Sequence, residues 1–237
     1  SVSAAVDAYD TSLTRSTHTA LSVARRYLAG ASVGNYALFA GGYDSNTYSS
    51  TVDAYDTSLT RSTPTALSAA RRQLAGASVG NYALFAGGYG SSAVVDAYDT
   101  SLTRSTPTAL SAARYELAGA SVGNYALFAG GYDTSYSSAV DAYNTSLTRS
   151  TPTALSAARY ELAGASVGDY ALFAGGYGSF AVVDAYTQLF DSYLIFITAG
   201  SKYKINSTTE IIATSNTTIQ ASVPINGYIK YKGGTLS

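Results

Sequence analysis

Val6-Asp-Ala-Tyr9, Val52-Asp-Ala-Tyr55, Val95-Asp-Ala-Tyr98, Val140-Asp-Ala-Tyr143 and Val183-Asp-Ala-Tyr186 are five copies of one tetrapeptide, spaced 46, 43, 45 and 43 residues apart. Strict alternation of apolar and polar residues marks each copy as a β-strand with two unlike faces. A period of this length filled with short strands is the signature of a β-propeller, because one such sheet cannot bury both faces alone and must stack on its neighbours.

The repeat that runs from Leu74 to Ala112 shows the rest of the unit. Leu74 to Gly80 reads as a small-residue first strand ending at a Gly-Asn turn. Tyr82 to Ala86 is apolar on both faces, as a strand sandwiched between neighbouring sheets must be. Gly87-Gly88 breaks the pattern, and Ala93 to Tyr98 is the third strand, with Val95 and Ala97 on one face and Asp96 and Tyr98 on the other. A polar fourth strand is expected around Leu102 to Leu110, where Pro107 suits an outer edge. The rival reading of Ala109 to Arg114 as a helical turn fails on length.

The Gly-Gly pairs at Gly41-Gly42, Gly87-Gly88, Gly130-Gly131 and Gly175-Gly176, the Val-Asp-Ala-Tyr strands and the recurring Arg25, Arg71, Arg114 and Arg159 together resemble the kelch repeat. The resemblance covers residues 1–186. It departs at Leu13, Leu59, Leu102 and Leu147, near the place where the family usually carries Trp. It implies an all-β, kelch-like β-propeller of four-stranded blades. Residues 187–237 form a diverged tail in which Ala221-Ser-Val223 and Tyr228 to Gly234 follow the order of Ala77-Ser-Val79 and Tyr82 to Gly88. On that match the tail completes the last blade, and a ring of five closes with one blade shared between the two ends. The alternative is a small separate β module.

Composition narrows the chemistry. A formal net charge of −1 gives no field for nucleic acid, and no apolar run reaches the length of a membrane helix. Neither nucleic acid nor membrane insertion is expected. Cysteine is absent and His18 is the single histidine, so the copper-oxidase chemistry known among kelch-like propellers has no ligand set here. No cofactor, metal or catalytic residue is expected. Residue 1 is Ser, which implies a removed segment or a longer chain. Asn144, Asn206 and Asn216 fit the glycosylation pattern, as chance allows in a chain this rich in Ser and Thr. Repeated Asp7, Asp53, Asp96, Asp141 and Asp184 read as structural partners of the repeated Arg15, Arg61, Arg104 and Arg149.

The candidate binding residues are those at which the copies differ. The loops after each Gly-Gly begin with Tyr43 and Asp44 and reach Tyr48, begin with Tyr89, begin with Tyr132 and Asp133 and reach Tyr136, and begin with Tyr177 and reach Phe180. A second variable pair precedes each first strand: Arg26 and Tyr27, Arg72 and Gln73, Tyr115 and Glu116, Tyr160 and Glu161. Tyrosine brings contact area at low entropic cost, and short polar groups adapt to a partner. The expected function is a non-enzymatic recognition or structural module contacting a protein or glycan surface, outside a cell, on a cell surface or on a virion such as a phage tail, within a larger assembly. The competing reading is a carbohydrate lyase or hydrolase with an axial Asp/Tyr site.

Overall fold

In the computed structural model the described residues are 1–90, 92–178 and 181–188, together with two short strands at 211–213 and 229–231. The chain divides into two units, Ser1–Gln188 and Leu189–Ser237. All of the described regular structure is β.

The first unit repeats one sheet. It opens with β1 (Asp7–Tyr9) and β2 (Arg15–Thr17), paired antiparallel. Three four-stranded antiparallel sheets follow. They are β3 (Ala29–Val33), β4 (Tyr36–Ala40), β5 (Val52–Tyr55) and β6 (Arg61–Ser62); β7 (Ala75–Val79), β8 (Tyr82–Ala86), β9 (Val95–Asp99) and β10 (Arg104–Ser105); and β11 (Ala118–Val122), β12 (Tyr125–Ala129), β13 (Val140–Asn144) and β14 (Arg149–Ser150). A three-stranded sheet of β15 (Ala163–Val167), β16 (Tyr170–Ala174) and β17 (Val183–Thr187) ends the series. The fourth strand is shorter than the sequence reading: only Arg104 and Ser105 pair with β9, because residues 106–117 leave the sheet to become the connector to the next one.

Each connector is held by the repeated tetrapeptide, and that explains its constancy. In β9, Val95 and Ala97 pack forward into a cluster with Phe128 and Tyr143 of the following sheet. Asp96 and Tyr98 face backward onto the connector 63–74. The Tyr98 hydroxyl donates to Thr65 O (2.8 Å), and Asp96 accepts from Ser68 N, Ser68 Oγ and Arg71 Nη2 (3.2, 3.1 and 2.8 Å). Arg71 Nη2 also donates to Phe85 O (3.0 Å). The same arrangement recurs at Arg25–Asp53, Arg114–Asp141 and Arg159–Asp184. The expected outer partners do pair, Arg104 with Asp96 and Arg149 with Asp141 at 2.9 Å, but the closer and more buried partner in each repeat is the arginine before the first strand.

The sheets stack through unlike faces. Leu38, Ala40, Val52 and Ala54 of one sheet meet Ala83, Phe85 and Tyr98 of the next, with Leu67 and Leu74 of the connector between them. Burial of each large side chain there contributes about 1.5–3 kcal/mol. A buried ion pair contributes little beyond an apolar replacement, so the clusters supply stability and the Asp–Arg pairs supply register.

The inner strands come closer than any residue but glycine allows. A Cβ on Gly76 would lie 2.2 Å from Gly30 O, and one on Gly119 the same distance from Gly76 O. Serine satisfies the free inner edge of each sheet: Ser78 Oγ accepts from Ser32 N (3.1 Å) and donates to Ser32 O (2.7 Å), and Ser121 Oγ does the same for Ser78 (3.2 and 2.6 Å). An edge strand with unpaired N–H and C=O groups is thereby closed by a side chain.

Leu13, Leu59, Leu102 and Leu147 stand in the left-handed region, with φ between 59° and 61°. Each ends a turn opened by Asp10, Asp56, Asp99 or Asn144, whose side chain accepts two backbone N–H groups. Asn144 is thus a turn residue. Leu102 and Leu147 pack on the neighbouring clusters.

The described sheets form an open series and not the expected closed ring of five. The first sheet holds only β1 and β2, and the last presents Val167 and Val183, each 61% exposed, on the face that every earlier sheet buries. In the second unit β18 (Ile211–Ala213) pairs parallel with β19 (Ile229–Tyr231). Residues 229–231 fall within the stretch matched to a Gly-Gly strand, while Ala221 to Val223, the other half of that match, lie outside the described residues.

Removing the buried carboxylate leaves an arginine inside the stack without its counter-ion, so Asp96→Ala is expected to lower unfolding free energy by about 3–5 kcal/mol. Asp7→Ala, whose partner Arg15 is more than half exposed, should cost under about 1 kcal/mol. Denaturant titration of both variants distinguishes a register clamp from a surface pair; equal losses would contradict it.

Candidate functional site

The variable positions converge on one edge of the stacked sheets. In each repeat the residue before the positive-φ position is bonded through its backbone to the tyrosine after Gly-Gly. Arg26 and Tyr43 exchange two bonds (3.0 and 2.8 Å), as do Tyr115 and Tyr132 (2.9 and 2.8 Å), and Tyr89 N and Tyr177 N donate to Arg72 O and Tyr160 O. Gly87 and Gly88 make this possible: both have positive φ, and a Cβ on Gly87 would lie 2.5 Å from Arg114 O.

Successive repeats are then joined by a backbone ladder. Gln73 N donates to Tyr27 O, Glu116 N to Gln73 O and Glu161 N to Glu116 O, at 2.9 to 3.0 Å. All four ladder residues hold φ between 54° and 59°, at a cost of about 1–2 kcal/mol for each L-residue. The backbone bonds of the ladder hold this strain at the same place in four repeats.

The side chains above this ladder form an unbroken strip. Arg26, Tyr43, Arg72, Tyr89, Tyr115, Tyr132, Tyr160 and Tyr177 follow one another with separations of 4.5 to 5.6 Å. The first half is cation–π: the Arg72 guanidinium lies over the rings of Tyr27, Tyr43, Tyr48 and Tyr89. The second half is aromatic on aromatic, mostly edge-to-face or tilted, as ring quadrupoles prefer. Tyr48 and Tyr136 extend it sideways, each touching two rings or more. Between the repeats the strip sinks into a cleft of about 300 Å³ floored by Gln73, Glu116 and Glu161.

Three of the sequence candidates stand outside the strip. Asp44 serves its own loop, accepting from Asn46 N and Thr47 N (2.8 and 2.7 Å), and these bonds hold its carboxyl below the usual range. Asp133 opens the equivalent loop, with its N–H bonded to Ser135 O. Phe180 lies outside the described residues. Gln73, Glu116 and Glu161, the second members of the entry pairs, line the cleft, which forms only where successive repeats are joined by the ladder.

The repeated Asp53, Asp96 and Asp141 are fully buried in ion pairs, so they form no open carboxylate ring. Among the described residues no group of three or more His, Asp or Glu is placed to hold a metal ion.

Burial and the neighbouring Glu161 raise the carboxyl pKa of Glu116, while Arg72 opposes them. Glu116 hydrogen-bonds to the Gln73 side-chain amide. Because its folded pKa lies above the unfolded value, Glu116 contributes stability below the ordinary carboxylate range and loses it as pH rises through the raised value. Carboxyl-carbon NMR titration is expected to place Glu116 above a free glutamate and to bring it down in Glu161→Gln; an unchanged midpoint would refute the stacking of the two side chains. No protein-family model matches the chain, and no curated protein matches it either.

Proposed function

We propose that this chain is a kelch-like β-propeller module of non-enzymatic recognition, which docks a protein or glycan along its tyrosine strip. The observation that carries this reading is the strip itself. Fourteen of the seventeen residues singled out in the sequence meet on one edge, where Tyr43, Tyr89, Tyr132 and Tyr177 recur in every repeat and the entry-pair and loop residues beside them vary. Variable side chains gathered around a constant row of tyrosines suit a binding face.

Tyrosine and arginine are the side chains from which binding energy is most often built, since each presents large, stiff area with a polar end. Tyr48, Tyr136 and Tyr177 are exposed at 39 to 55%, open to a partner yet braced by neighbouring rings. Such a surface suits a component exposed outside a cell or on a virion, as part of a larger assembly. The repeated aspartates that suggested a lyase or hydrolase are committed to arginine, which leaves Glu116 and Glu161 of the cleft as the carboxylate pair such an enzyme would have to use.

Screening against a glycan array and a panel of whole cells, with the double variant Tyr132→Ala/Tyr160→Ala beside Tyr9→Ala, tests the assignment. Tyr9 is 65% exposed and off the strip. Loss of about 2 kcal/mol per strip tyrosine, roughly thirtyfold in affinity, is expected for the first variant and none for the second. Equal binding by both would remove the strip from the function.

A further inference from the structure

The strip is not uniform along its length. Its tyrosine half carries carboxylates at Glu116 and Glu161, whereas its first half carries two guanidinium groups, Arg26 and Arg72, within ring distance of four tyrosines between them. Every other described arginine is paired with an aspartate. Arg26 and Arg72 pair with no carboxylate among the described residues, and Arg72 Nε is buried without a hydrogen-bond partner. Stacking uses the faces of a guanidinium and leaves the N–H groups in its plane available to an acid.

The backbone beside the strip is already consumed. The ladder through Tyr27, Gln73, Glu116 and Glu161 pairs its own N–H and C=O groups, and serine closes the neighbouring inner edges. A peptide entering as an added strand finds no free edge there. What remains is a row of ring surfaces, phenol hydroxyls, an amide and two carboxylates, which suits a chain of hydroxylated rings that carries its own acid.

On the recognition reading given above, which this inference depends on, we infer that the ligand is an acidic oligosaccharide: its carboxylates sit at Arg26 and Arg72, and its sugar rings and hydroxyls lie along Tyr89, Tyr115 and Glu116.

Titration calorimetry with a panel of uronate and sialate oligosaccharides, their carboxyl-reduced counterparts and an oligoglutamate peptide tests this. At least one acidic sugar should bind and weaken about tenfold or more on carboxyl reduction, on Arg72→Gln and on Arg26→Gln. Arg72→Lys should retain part of that affinity, and added salt should lower it. Thermal melts of each variant separate lost recognition from lost folding. Equal binding of reduced and acidic sugars, or tighter binding of the peptide, would overturn the acidic-sugar assignment while leaving the strip in place. Failure of every sugar would overturn it too, and indifference to Tyr132→Ala/Tyr160→Ala would bring down the recognition reading as well.

Discussion

The approach of each inner strand to the carbonyl of the one before it governs the molecule. Gly76, Gly119 and Gly164 each sit where a Cβ would fall 2.2 to 2.4 Å from a backbone oxygen, a separation no side chain permits. Because the inner strands lie this close, a serine hydroxyl can reach both polar groups of its predecessor. For the same reason the residues just outside them can form a ladder of backbone bonds. The tyrosines then inherit that spacing, and rings from four repeats come into contact. A stack set even a few ångströms looser would keep its apolar clusters in part and lose the ladder and the strip.

Outward from that contact the work is divided by chemistry. Apolar burial between unlike faces gives the sheets their cohesion, and it is direction-blind. The Asp–Arg–Ser clamp is directional: it holds each connector at one depth on the next sheet, which fixes how far the inner strand can advance. A buried aspartate that satisfies one arginine fully and a second at the margin has no freedom left for catalysis. This is why the recurring aspartates and arginines belong to the scaffold, while the recurring Tyr43, Tyr89, Tyr132 and Tyr177 and the varying residues beside them belong to the edge.

Much of this was legible in the residues. Alternation within Val-Asp-Ala-Tyr separates its two faces correctly, and Gly-Gly marks the point at which the next connector crosses. The fourth strand was read too long, since Thr and Pro around Pro107 suit an edge strand and a pinned connector equally well. The second arginine of each clamp was visible as a repeat, but nothing local shows that a charge four residues before a first strand is buried against the third strand of the same sheet. The joining of Arg26, Arg72 and nine tyrosines into one strip was invisible for the same reason: it depends on the distance between repeats, and single-repeat patterns carry no such distance. Closure of the series into a ring rested on tail residues outside those described.

The most direct test compares two alanines in the same tripeptide. Gly119→Ala places a methyl against Gly76 O, while Gly30→Ala meets only the Phe39 ring at 3.6 Å, because no inner strand precedes it. Denaturant unfolding of the two variants should show Gly119→Ala losing on the order of 3 kcal/mol or more, and Gly30→Ala neutral or gaining about 0.5–1 kcal/mol. Equal effects at the two positions would contradict an account in which strand approach sets the spacing of the whole edge.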